Sequence, residues 1–521
     1  MVQASPRVIF GQRRALAVIC TVLFLTFLDN TVVSVVLSGI QSDLSAGVQD
    51  LQWVVDGYML VFAALMLTGG TLGDLFGRKK IMLGGVALFC VGSAVAMLAH
   101  SVDVLIGGRV IMGIGAAASE PGTLSIIRQV FKNPRPRARA LGVWAAVSGV
   151  ALAFGPIIGG ILVGVSSWRL VFVFSLCLGV LAFIAGLVVL PESSDHQGRH
   201  LDLKGLGLGA ISLAAATFGI ILGETHGYAT WWVDLLLAAS VILGALFVLT
   251  EKRQRDPVMP IEFFRIPAFR SANIVAFATN FGVFAVFFFT ALYLQIIAGF
   301  SGYQIALSFV AMAVAMVLAA LATARWETRR GAIWPTVIGC LLAGIGMFLV
   351  DIVLSPSVTI WPLLWSLALV GLGFGMTLTT MTTVVLAIVP AERSGMAAST
   401  VNTFREMGGV MSVAVLGAIV NGQLTSNLVA KLQSLGLPAD FQSLAIYAIT
   451  HGGNLPQNAH VSAGAILNHP ELVQKTTDAA YAAFGRGLDI ALYIAGAMLL
   501  VSAIIAWAGM RAPLKSNQAL V

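Results

Sequence analysis

Runs of about twenty apolar residues recur along this chain from residue 15 to residue 510, and a run of that length crosses the hydrocarbon core of a bilayer as one helix. Repeated this often, the pattern implies an all-α integral membrane protein. Composition agrees. Only 10% of the 521 residues are charged, against roughly 25% in a soluble domain. The 55 glycines suit close approach of helix backbones in lipid. Arg13 and Arg14 precede the first apolar run, and no small-residue cleavage site follows it, so it reads as a retained span and not as a signal peptide.

Fourteen spans can be placed, the first at 15–40 and the last at 487–510. With the N-terminus inside, 23 of the 30 Lys and Arg fall in cytoplasmic segments, among them Arg78, Lys79 and Lys80. Arg169, Lys431, Lys475 and Arg486 fall outside, and Arg109, Arg128 and Arg405 lie within helices. The alternation holds at every short loop, so both termini are expected in the cytoplasm. The net charge of +7 is read as anchoring charge; no basic cluster sits beside exposed aromatics, and no nucleic-acid partner is expected.

Other chemistries find little support. Cys20, Cys90, Cys177 and Cys340 each stand alone in an apolar run, and the histidines are scattered, so neither disulfides nor a metal site is expected. No G-x-x-x-x-G-K-[ST] loop is present, so the chain offers no nucleotide site of its own. A membrane-embedded enzyme would need clustered ligands or a nucleophile with a base nearby, and none is visible. No cofactor is expected.

Several motifs are more particular. "GGTLGDLFGRKKIML", Gly69 to Leu83, joins spans 2 and 3; Gly70 and Gly77 permit a tight turn and close contact. Asp74 is placed to meet the positive end of another helix, with Arg78 four residues on and Lys79 next. "GVALAFGPIIGGIL", Gly149 to Leu162, holds Gly155-Pro156, which frees a backbone carbonyl and weakens the helix. Gly155 and Gly159, four apart, make a smooth face for a neighbouring helix, and Gly160 belongs to the same run.

The first of these runs resembles the loop 2–3 signature of the major facilitator superfamily, G-x-L-a-D-r-x-G-r-k. "GGRVIMGIGAAASEPG", around Arg109, resembles its span 4 motif, and the stretch from Gly149 to Leu162 resembles the span 5 motif of its antiporters. "LDNTVVSVVLSGI", "LQWVVDGYMLVFAA" and "NTFREMGGVMSVAVLGAI" are similar to spans 1, 2 and 13 of the fourteen-span drug:proton antiporter family. The resemblance implies two six-helix bundles, 15–190 and 271–510, flanking an inserted hairpin at 203–250. It also implies substrate passage between the bundles by alternating access. Gly155 and Gly159 are then expected to form an interface that opens and closes between them. A long outward loop at 422–486 holds apolar-periodic pieces that read as short helices over the outer surface.

Charged residues inside spans are costly and mark function. Asp29 lies 15 residues beyond Arg14, about 22 Å along the helix, and Arg109 reaches about 9 Å in from the other side. The two arrive at the same level and are expected to face each other, directly or through water. Glu120 follows Arg109 by eleven residues, on nearly the same face and about 16 Å away. Arg405 and Glu406 are adjacent, so they point about 100° apart, one lining the cavity and one packing. Asp56 stands where a small polar residue is more usual in the family. Asp29, Glu120, Asp56 and Glu406 are the candidates for proton or substrate handling, with Arg109 and Arg405 as partners. Asp351 and Asp489 read as solvated helix ends.

Together these features point to a proton-coupled antiporter of the bacterial cell membrane, a monomer, exporting small lipophilic cations. Export of one endogenous product on the same fold is the alternative reading, and a receptor without flux the next.

Overall fold

The computed structural model describes residues 6–192, 202–228, 230–254, 259, 261–389, 394–423, 426 and 470–511. All regular structure among them is helical. Lipid offers the backbone no hydrogen-bond partner, so each span must satisfy its own amides, and a helix does so.

The first group of helices comprises α1 (Pro6–Val32), α2 (Leu37–Leu44), α3 (Val48–Phe76), α4 (Arg78–Met97), α5 (Val102–Val130), α6 (Pro134–Val165) and α7 (Arg169–Val189). A hairpin follows, α8 (Leu203–His226) and α9 (Trp231–Glu251). The last group holds α10 (Pro267–Phe284), α11 (Ala291–Ile296), α12 (Gly302–Arg330), α13 (Ile333–Val353), α14 (Ile360–Ile388), α15 (Ser394–Met411) and α16 (Pro470–Met510). Twelve helices are long and apolar enough to cross a bilayer, or thirteen when the bent α6 counts as one span. Fourteen crossings, the number read from the sequence, would need α3 as well; it is a continuous helix of 29 residues.

The two groups pack alike. In the first, α5 lies against α4 and α3; in the last, α14 lies against α13 and α12. Glycines set both contacts. A Cβ on Gly92 would lie 2.7 Å from the Gly108 carbonyl oxygen, and one on Gly339 would lie 2.9 Å from that of Gly373. Single glycines at positive φ also turn the corresponding loops, Gly77 (φ 111°) between α3 and α4 and Gly331 (φ 77°) between α12 and α13. A repeated helical unit is the usual architecture of secondary transporters.

The hairpin is peripheral. Trp53 of α3 packs on Phe218 of α8 with ring centroids 4.5 Å apart. Only 6% of the apolar stretch of α9 is buried, which leaves that helix to the lipid.

Three departures from a regular α-helix cluster where the halves meet. These are the 3-10 turn Val33–Val35 after α1, the π segment Ala285–Thr290 after α10 and the π segment Ser412–Leu416 after α15. The π segments touch each other, and the first touches the 3-10 turn. α16 begins at Pro470, inside the segment read as the outward loop 422–486, and runs unbroken to Met510. Residues 427–469 lie outside the described residues.

Candidate functional site: a charged layer between two helix bundles

Asp29 on α1 and Arg109 on α5 meet directly. Arg109 Nη1 donates to Asp29 Oδ2, and both side chains are fully buried. Arg109 Nε donates to the Val54 carbonyl of α3 at 2.9 Å. The Tyr58 ring covers the guanidinium at 4.4 Å, and its hydroxyl donates to the Thr26 carbonyl at 3.0 Å. The ion pair thus joins α1, α3 and α5. Each charge offsets part of the other's lost water, while Asp29 Oδ1 and Arg109 Nη2 remain without a hydrogen-bond partner.

A second layer crosses between the halves. Asn30 Nδ2 of α1 donates to Glu406 Oε2 of α15 at 3.3 Å. In return, Asn402 Nδ2 of α15 donates to Glu120 Oε1 of α5 at 3.2 Å. Each half therefore holds the other's carboxylate by an amide. Arg405 Nη1 approaches Asn402 Oδ1 at 3.5 Å, and Phe27 of α1 lies under the guanidinium at 5.6 Å. Arg405 and Glu406 thus both face the first half, against the expectation that one of them packs elsewhere. Glu120 sits apart from Asp29 and Arg109, as its distance along α5 requires. Asp56 is fully buried on α3, and neither of its oxygens has a partner; Gln52, one turn away, is in the same condition.

In the loop between α3 and α4, Gly77 makes the expected turn at φ 111°. Gly70 only touches Pro121, 3.3 Å from a Cβ, whereas Gly69 meets the Ala117 carbonyl so closely that any side chain would overlap it. That carbonyl lies four residues before Pro121, which has no N–H to give it. Glu192, just past α7, accepts from the Lys79 amide at 3.1 Å in the first turn of α4, where a carboxylate is favoured. A Cβ on Gly77 would lie 2.9 Å from it, and Lys79 Nζ donates to the Leu187 carbonyl at 2.8 Å. Arg78 opens α4. The side chain of Asp74 lies outside what is described.

The glycines of α6 divide between two partners, and here the sequence expectation needs correction. Gly155 and Gly159 face α1 of their own half; a Cβ on Gly159 would lie 2.7 Å from the Val32 carbonyl oxygen. Gly160, one residue and about 100° further round, faces Gly302 of α12 in the other half. Gly164 faces the Tyr303 ring, 2.6 Å from a Cβ, and Gly149 has only Met316 near, at 4.0 Å. The contact between halves is therefore made by Gly160 and Gly164. Pro156 leaves the Leu152 carbonyl without its helical donor, and the Thr31 hydroxyl of α1 supplies one at 2.9 Å. α6 bends by 41° at that point.

Asp351 and Asp489 are also placed unexpectedly. They lie together beside Tyr493 and are not separate solvated ends. Asn30, Asn402, Tyr58 and Gln52 are buried polar neighbours of the candidate residues that sequence reasoning misses. Their one signal is a polar group inside an apolar run. Among the described residues, no group of three or more His, Cys, Asp or Glu is placed to hold a metal ion.

Known proteins resemble the chain in sequence and in fold. The sequence pattern described as Major Facilitator Superfamily matches residues 19–414. The multidrug resistance protein Stp of Mycobacterium tuberculosis (strain CDC 1551 / Oshkosh) is 31% identical, over 93% of this chain and 89% of its own. The tetracenomycin C resistance and export protein of Streptomyces glaucescens is 30% identical, over 92% and 88%. Among solved structures, a bacterial homolog of the human lysosomal transporter Spinster, inward-facing and unoccupied, superposes with a TM-score of 0.60 at 19% identity, covering 98% of both chains.

Proposed function

Because the chain belongs to the Major Facilitator Superfamily, we propose that it is a proton-coupled antiporter which exports small lipophilic drugs and dyes, cationic ones in particular, by alternating access. Its family makes it an integral membrane transporter and not an enzyme. Relatives named for multidrug resistance and for antibiotic export support efflux as the direction. Relatives named for a single compound, such as a cephamycin export protein, favour the second reading, a dedicated exporter of one product.

The observation that carries the coupling is the excess of buried acid at the seam. Four buried carboxylates, Asp29, Asp56, Glu120 and Glu406, stand against two buried guanidiniums, Arg109 in the first half and Arg405 in the second. Two negative charges remain if all ionise, and lipid cannot tolerate them unpaired. Protons or a cationic cargo would neutralise them in turn. Asp29 is the primary exchange seat in this reading, with Arg109 holding it when no proton does.

The bundles 15–190 and 271–510 rock against each other, with the hairpin 203–250 carried on the outside. All fourteen long segments cross, and both termini are cytoplasmic. The chain works as a monomer, with no cofactor beyond the proton. The arrangement closed around Gly160 and Gly302 is one of the two states that alternating access requires.

Purified protein in sealed liposomes tests this. An imposed proton gradient is expected to drive exchange of a cationic dye, and Asp29→Asn is expected to cut it at least tenfold. Equal flux in the variant, or flux unaffected by collapse of the gradient, would remove the proposal.

A further inference from the structure

Arg405 is buried to 3% exposure, yet two of its three guanidinium nitrogens, Nε and Nη2, meet no acceptor. Those two donors share one edge of the guanidinium plane, the edge that takes a carboxylate through two parallel hydrogen bonds. The protein's own acids do not fill it. Glu406, its neighbour, accepts from Asn30, and Glu120 accepts from Asn402. A buried donor without an acceptor is unfavourable, and most such groups in proteins are paired.

Arg405 belongs to α15, and Phe27, over whose ring its guanidinium lies at 5.6 Å, belongs to α1, so the group is enclosed by both halves. Parting the halves would bring the edge and both glutamates within reach of one molecule. A carboxylate that binds there favours the parted state over the closed one, the differential affinity through which a ligand can move such an equilibrium.

We propose that Arg405 receives a carboxylate of the cargo, and that the preferred cargo is zwitterionic, with its cationic group toward Glu120 and Glu406. This rests on the reading of the chain as an exporter and changes its preferred cargo from a simple cation to a molecule that carries both charges. A lysine in the same place would keep the charge but lose the two-donor edge.

Two dyes with one ring system separate the possibilities. Rhodamine 110 carries a free carboxyl group, and rhodamine 123 is its methyl ester. Gradient-driven uptake of each is measured in liposomes holding the full chain as wild type, Arg405→Gln and Arg405→Lys, alongside equilibrium binding of each dye to the detergent-solubilised protein. The wild type is expected to favour rhodamine 110 at least tenfold. Both variants are expected to cut that ratio at least tenfold, through KM and binding of the acid. Equal handling of the two dyes by the wild type would overturn the proposal. So would variants that weaken both dyes alike with the ratio kept, because Arg405 would then be a packing residue. If the exporter reading itself is wrong, neither dye responds to the gradient in the wild type, and the binding ratio still decides the role of Arg405.

Discussion

Two ion pairs show how surroundings decide what a charge contributes. Asp29 and Arg109 are fully buried, so removing one leaves the other stranded, a change worth about 3–5 kcal/mol. Asp43 and Arg169 are partly exposed, and a pair that water reaches contributes under about 1 kcal/mol. The hydrogen bonds from Arg169 and then from Trp168 hold the Asp43 carboxyl below its ordinary value of 3.8. A lowered value means that the folded state favours the ionised form. The contribution is therefore present above the ordinary value and is lost as pH falls through the lowered one. Asp43→Asn is expected to lower the melting temperature slightly at neutral pH, with the difference from wild type shrinking as pH falls below the ordinary value of 3.8. A difference that persists in acid would assign the loss to packing. The pairing of Asp29 with Arg109 is legible in the sequence because two charges in apolar runs have a calculable depth. The roles of Asn30 and Asn402 are not, because a neutral amide costs too little in a helix to announce that it has a partner 376 or 282 residues away.

At the scale of the helix, two prolines free a carbonyl and neighbouring helices deal with each. Thr31 donates to the one that Pro156 leaves open, and the Gly69 backbone closes over the one below Pro121. Thr31→Val should therefore strand the Leu152 carbonyl, at about 1–3 kcal/mol. Pro156→Ala returns an N–H to that carbonyl, so in its presence Thr31→Val should cost markedly less. Thermal unfolding of the two single variants and the double one gives the coupling directly, and additive effects would mean that the hydroxyl acts elsewhere. The existence and order of the helices are readable because twenty apolar residues have one use in a membrane. Their irregularities are not. Hydropathy is an average over a whole turn and more, so it passes over a π segment at Ala285–Thr290 or the start of α16 at Pro470.

Across the whole molecule, the halves touch where α6 ends and α12 begins, and again where α3 begins and α15 ends. There a Cβ on Gly409 would lie 2.5 Å from Met59 Cε, and one on Gly417 would press into Gln52. If this end must open in each cycle, joining it should stop transport. Gly164→Cys with Tyr303→Cys, bridged by a short bifunctional thiol reagent, is expected to reduce dye flux at least tenfold, whereas either single variant carrying the reagent should retain flux. Undiminished flux in the bridged protein would place the moving parts elsewhere. The division of the α6 glycines into Gly155 and Gly159 for α1, and Gly160 and Gly164 for α12, is beyond sequence reasoning, because one residue of rotation separates the two partners. The paired amides have a wider consequence. Since Asn30 answers Glu406 and Asn402 answers Glu120, neither bundle is complete as a recognition surface by itself. A chimera that takes one bundle from a relative lacking these residues would leave an acid and an amide of this chain with nothing to answer them, so the two bundles must be inherited, and altered, as a pair.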